Sequence, residues 1–299
     1  MRSVARGGLG LVGAVLAGLL AGSAANPDPA DTVGIGSAAL RQPAPAPGPD
    51  AATGTYTADC GRNTNGHSNS DNVITKPGEH DGAHHRHEYV GNLGTDAFAT
   101  DDTLAAAGTT CANGDRSSYY WPAMTIVGPD GRRALPPASV RVRFAGSPVG
   151  KVVGMPRFLR NSVGNAHAVT AADPRRLPVW TCSGAPDRAT PRYPRCPTGE
   201  QVVREFDFPD CWDGRNTDSP NHRAHVLPST AGVCPHGMFA IPALRLLVAY
   251  DVPAGARFEI DGFPEEGNSP LTDHADFISV MTDELMTTIV SCLNRGAAC

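Results

Sequence analysis

The sequence predicts a mainly β fold, a sandwich or jelly roll with long loops, closed by one C-terminal α-helix and held by disulfides. Three observations predict it. Several short runs alternate apolar and polar residues, the period of a half-buried strand. Glycine and proline, at 33 and 27 residues, are frequent enough to punctuate many turns. The cysteines number eight, an even count that suits a set of disulfides.

The elements follow in order. Val140–Phe144 reads Val-Arg-Val-Arg-Phe and alternates strictly. Val203–Phe208 alternates loosely, Leu244–Val252 is apolar enough for a buried strand, and Arg257–Ile260 alternates again. One helical periodicity stands out, from about Asp276 to Asn294. There Phe277, Val280, Met281, Met286, Ile289, Val290 and Leu293 recur at three- and four-residue spacing, and Gly296 lies just past the end. On this reading His274 and Asp276 project from the N-terminus of that helix, where Asp273 or Asp276 serves as its cap.

The first residues set the compartment. Arg2 and Arg6 precede an apolar stretch from Leu9 to Leu20, and Gly22-Ser23-Ala24-Ala25 follows. That order reads as a secretory signal peptide over residues 1–25, cleaved near Ala25. It is too short to span a bilayer, which takes about 20 apolar residues. No second long apolar run follows, so no transmembrane segment is expected after cleavage, and the protein is expected outside the cell. Residues 26–54 are rich in Pro and Ala and read as a linker that cannot order itself. Residues 55–299 then form a single domain.

In an exported chain Cys60, Cys111, Cys182, Cys196, Cys211, Cys234, Cys292 and Cys299 read as disulfides. None forms a Cys-x-x-Cys pair, which argues against a zinc knuckle or a thioredoxin-like centre. Eight cysteines allow 105 pairings. Cys182 with Cys196 and Cys211 with Cys234 are plausible partners because short loops close cheaply, and a paired Cys299 would fix the C-terminus. The formal net charge is −5, and Lys76 and Lys151 are the only lysines. With no dense basic cluster, a nucleic-acid partner is excluded.

The chemistry lies in the ten histidines, which cluster. His85-Arg86-His87 on a strand would put two imidazoles on one face, able to share a metal ion or flank a substrate. Asp213-Gly214 signals a turn, beside a Trp212 that is either core or a stacking face for a sugar. His222 and His225, three apart, would share one side of a helical turn capped by Asp218. The catalytic candidates are therefore His85, His87, Asp213, Asp218, His222, His225, His274 and Asp276. Tyr120, Trp121 and Trp212 are the candidate substrate contacts. His85, His87, His222 and His225 are the candidate ligands of a divalent transition metal such as zinc, copper or iron.

In order along the chain stand His85 and His87, Thr110-Cys111, Ser118-Tyr119-Tyr120-Trp121-Pro122, Phe208-Pro209-Asp210-Cys211-Trp212-Asp213-Gly214, Asp218-Ser219-Pro220 with His222 and His225, Cys234-Pro235, and His274-Ala275-Asp276-Phe277. This order resembles the domain-of-unknown-function family numbered nineteen ninety-six, over about Asp71 to Phe277. Its members are secreted proteins of fungi and actinobacteria, and the fungal ones often stand beside a carbohydrate-binding WSC domain. Two positions depart from the pattern: Ala83 replaces a frequent Ser, and Ile278-Ser279-Val280 replaces a frequent Asn-Gly-Trp. The resemblance implies secretion and a set of site residues, and it implies no reaction.

Three functions remain open. A carbohydrate-active enzyme of the cell envelope, acting on polysaccharide or cell-wall glycan, would draw two carboxyl groups from Asp213, Asp218 and Asp276; this reading is preferred. A metal-dependent site accounts better for the excess of histidine over carboxylate. A non-catalytic glycan-binding module would use the aromatic residues as platforms.

Overall fold

A computed structural model of the chain describes residue 1 and residues 31–170 and 177–299. The expected signal peptide falls outside the described residues, Met1 apart. The architecture is mainly β, as the alternating runs predict. Two five-stranded antiparallel sheets carry it. In spatial order the first consists of Arg160–Gly164, His274–Ile278, Ser118–Pro122, His87–Gly91 and Ser68–Asn69. The second consists of Val179–Cys182, Val202–Asp207, Ala243–Tyr250, Ser139–Ala145 and Thr55–Ala58.

Side chains two apart on a strand share a face. On one face of the first sheet Val90, Tyr119, Trp121, Ala275 and Phe277 join Phe144, Trp180, Phe206, Leu246 and Tyr250 of the second in one buried cluster. On the opposite face Tyr89, Tyr120 and Ile278 pack under Val73, Ile74 and Leu104. Leu104 comes from a short helix, Asp101–Ala106, and Val73 and Ile74 from a loop laid over the sheet. The central strands are thus covered on both sides, and every residue of His87–Gly91, Ser118–Pro122 and His274–Ile278 is buried.

This double burial corrects the expected helix boundary. The helix is Asp283–Asn294, with the Thr282 hydroxyl accepting from the Leu285 N–H at its start. Phe277, Val280 and Met281 are apolar because they lie in or just after a strand buried on both faces. A continuous apolar run of that kind mimics helical spacing. His274 and Asp276 are therefore strand residues, and neither caps a helix.

The expected linker also differs from its reading. Thr32–Gly34 pairs in parallel with Tyr193–Arg195, and Ala39–Leu40 pairs with Arg188–Ala189. Arg41 forms an ion pair with Glu205 at 2.7 Å. Ala52 is buried, and Gly54 packs so tightly that a Cβ there would stand 2.5 Å from the Cys292 carbonyl oxygen. The prolines forbid helix yet suit an extended chain lying on the domain surface.

All eight cysteines are paired, Cys60–Cys111, Cys182–Cys196, Cys211–Cys234 and Cys292–Cys299. The two short-loop pairs are as expected, and Cys299 is tied to the C-terminal helix. Among the described residues no helix is long and apolar enough to cross a membrane.

Candidate metal centre

His87 opens one central strand and His274 opens another, and both point to the sheet face that carries Tyr89, Tyr120 and Asp276. His274 stands opposite Gly164, whose φ is +82° and where a Cβ would lie 2.1 Å from the Asp273 carbonyl oxygen. Only glycine lets the two backbones approach this closely. His85 reaches the same point from the loop, one residue before Arg86, whose N–H donates to Asp261 Oδ2 at 2.8 Å.

The three rings converge through one type of atom. Nε2 of His85 lies 3.0 Å from Nε2 of His87 and 3.1 Å from Nε2 of His274, and the last two are 3.4 Å apart. The other nitrogens fix the tautomers. Nδ1 of His87 faces the Asp71 carbonyl at 2.9 Å, and Nδ1 of His274 faces the Thr272 carbonyl at 2.9 Å. A carbonyl only accepts, so each Nδ1 carries the hydrogen and each Nε2 presents a lone pair. Burial pushes the imidazolium pKa of His87 and His274 well below the ordinary value, and that of His85 down to about 4. All three are neutral near pH 7, the form that binds metal.

The two fixed lone pairs of His87 and His274 repel at this distance unless something positive lies between them. A single hydrogen on His85 Nε2 satisfies at most one of the contacts. Nitrogens about 2.05 Å from a tetrahedral ion lie about 3.3 Å from one another, which is the spacing seen. The carbonyls behind His87 and His274 are the usual outer support of a metal-binding imidazole.

Asp276 lies on the same strand as His274. It accepts from Ser162 Oγ through Oδ1 and from Asn72 Nδ2 at 3.1 Å through Oδ2. Burial raises its pKa against the opposing effect of these hydrogen bonds and of Arg223. Asn72 Oδ1 in turn accepts from the backbone N–H groups of Ile74 and Thr75. The carboxylate so anchors the loop that roofs the sheet.

A cleft of about 280 Å³ opens onto His85, His274 and Asp276. Ser162, Asn72, Lys76, His167, His222, Arg223 and Phe263 complete its walls, and His87 lies behind them. Two of the wall histidines are backed by carboxylates. His222 Nδ1 lies 3.0 Å from both oxygens of Asp218, and His167 Nδ1 lies 3.3 Å from Glu266 Oε1. His167 also stacks on Phe263 with centroids 4.3 Å apart. A larger, mostly apolar cavity of about 750 Å³, between Tyr193–Val202 and Val252–Phe258, shares no lining residue with this cleft. The smaller cleft holds the convergent polar groups that mark a site.

Of the expected residues, the structure gathers His85, His87, His274, Asp276 and His222, with Asp218 behind His222. The group of histidines that converges closely enough to hold a metal ion is His85, His87 and His274, and His222 and His225 stand outside it. His225 is buried with Nε2 on the Arg160 carbonyl at 2.7 Å and Nδ1 on Ser219 Oγ at 3.0 Å, so both nitrogens are engaged in holding a loop. Asp213 is a turn residue, accepting from the N–H groups of Arg215 and Asn216 at 2.9 Å each. Tyr120 and Trp121 are fully buried and offer no face to a ligand; the Trp121 indole donates to Tyr250 at 3.0 Å. Trp212 donates to the Asn216 carbonyl and lies apart from the cleft. Sequence reasoning missed His167, Arg223, Ser162, Asn72 and Phe263; Arg223 stands inside the Asp218–His225 motif at an unassigned position, and the other four stand in no motif.

A protein-family model, the Domain of unknown function (DUF1996), matches residues 72–280. The chain belongs to this family. The DUF1996 match spans the three converging histidines and the cleft walls from Asn72 to Asp276. Neither the curated proteins nor the solved structures contain a match to this chain.

Proposed function

We propose that this DUF1996 domain holds one divalent transition-metal ion through Nε2 of His85, His87 and His274, and acts on a ligand bound in the adjoining cleft. One observation carries the reading: three Nε2 atoms 3.0–3.4 Å apart, at least two of them fixed as lone-pair donors. Three imidazoles leave a fourth position, as catalytic zinc sites do, and His85 and His274 both line the cleft from which a ligand enters. A bound ion of this kind would supply an acidified water and would polarise an oxygen of the ligand. We assign proton transfer in the cleft to the carboxylate-paired His222, which lines it with Asp276.

This reading replaces the two-carboxylate glycosidase as the leading one. Of Asp213, Asp218 and Asp276, Asp276 alone lines the cleft. A cell-envelope glycan stays in the proposal as substrate of the metal centre, with Phe263 as the ring on which a sugar would rest. Export is proposed with it: four disulfides belong to an oxidising compartment, and the first 25 residues read as a signal peptide.

Elemental analysis after dialysis against equimolar zinc or copper tests the centre. The expected result is about one ion per chain, reduced at least about 100-fold in affinity by His274→Ala or His85→Ala with the circular dichroism spectrum unchanged. A wild-type protein that retains no ion overturns the proposal.

A further inference from the structure

Several of the described arginines, from the fully buried Arg204 to the exposed Arg132, are paired with carboxylates. Arg204 meets Asp273, Arg160 meets Asp101, Arg245 meets Asp207, Arg41 meets Glu205 and Arg132 meets Glu259. Arg223 breaks the pattern. It is half-buried and lines the cleft, and no hydrogen-bond partner holds its guanidinium among the described residues. The carboxylate that acts on it, Asp276, already spends one oxygen on Ser162 and the other on Asn72.

The backbone that presents Arg223 is built. Its N–H and that of Ala224 both donate to Ser219 Oγ and to Asn221 Oδ1 at 2.9–3.1 Å. His225 fastens the far end of the turn to the Arg160 carbonyl. His222 is held at φ +55°, in the left-handed region. A non-glycine residue pays for that conformation, and such strain gathers at binding sites. The turn therefore holds a desolvated cation toward the cleft with its donors unspent.

We propose that the cleft takes a ligand bearing an oxyanion, held by Arg223 at one end and by the three-histidine centre at the other. A guanidinium offers a planar fork of N–H donors that matches two oxygens of a carboxylate, sulfate or phosphate. His222 and His167 line the same cleft, each with Nδ1 on a carboxylate. The second anchor rests on the metal reading; the first, Arg223, does not.

Calorimetric titration with inorganic phosphate and, separately, with glucuronate tests this, with metal content measured on the same preparations. At least one anion is expected to bind, Arg223→Ala to weaken it about 10- to 100-fold, and Arg223→Lys to fall between, all with metal content unchanged. Preference for glucuronate places the oxyanion on an acidic glycan and preference for phosphate on a phosphoryl group; either upholds the assignment. Failure of the wild type to bind either anion, or equal affinity in Arg223→Ala, overturns it. Low metal content would count against the metal centre alone, because Arg223-dependent anion binding would still establish the oxyanion site.

Discussion

Arg204 and Asp273 form a fully buried ion pair directly behind the histidine cluster, and replacing Asp273 by Asn should be among the most damaging single changes in the chain. Both side chains have no exposure. Arg204 donates to Asp273 through Nε and Nη2, and through Nη1 to the Pro122 carbonyl at 2.7 Å and Tyr250 Oη at 3.1 Å. Desolvation works against the guanidinium charge, and the carboxylate beside it more than restores it, so Arg204 titrates above its ordinary value. Asp273→Asn leaves that cation buried without its counter-charge, a loss of about 3–5 kcal/mol. With a guanidinium slope of about 4 kcal/mol per molar, the unfolding midpoint falls by about 1 M. Tryptophan fluorescence follows it well, because Trp180 lies 5.3 Å from Arg204. The double replacement Arg204→Met with Asp273→Leu removes both charges and should recover part of the loss. A midpoint shift below about 0.25 M for Asp273→Asn would refute the reasoning.

Two further outcomes are expected. Glu266 is buried; desolvation pushes its pKa up, but hydrogen bonds from Thr170, Val169 and His167 outweigh this and hold it below the ordinary value. A depressed carboxyl stabilises the fold above its unfolded pKa and loses that contribution as pH falls through the folded one. Glu266→Gln should therefore lower stability at pH 7 and flatten the decline below about pH 4.5, and denaturant curves at both pH values with equal loss in variant and wild type would refute it. Gly91 has φ +87°, and a Cβ there would stand 2.0 Å from the Ser117 carbonyl oxygen. Gly91→Ala should cost about 2 kcal/mol or more, read as a fall of at least about 4 °C in Tm; an unchanged Tm would refute it.

The legible parts of the fold are those with one wet face. Val140–Phe144 alternates because the observed strand, Ser139–Ala145, has exposed arginines on one side. Strands covered on both faces lose that signature, so Ser118–Pro122 reads as an aromatic cluster and His274–Ile278 as the start of a helix. In the site, His85, His87 and His274 are legible as histidines two apart or beside carboxylates, a pattern that points to shared chemistry. His225 and Asp213 carry the same signal falsely, since backbone groups consume their polar atoms. His167 and Arg223 acquire their meaning only from neighbours distant in sequence, Glu266 and Asp276, and no local pattern encodes such a meeting.

The wide separation of the three converging histidines along the chain sets when the cluster can form. His274 is 189 residues beyond His85 and belongs to a strand inserted between Ser118–Pro122 and Arg160–Gly164. Until the last quarter of the polypeptide has been made and that strand has slotted home, an ion meets two imidazoles at most. Pairings this distant in sequence form slowly, so on the proposed metal reading an ion would be held by all three rings only once that strand has folded.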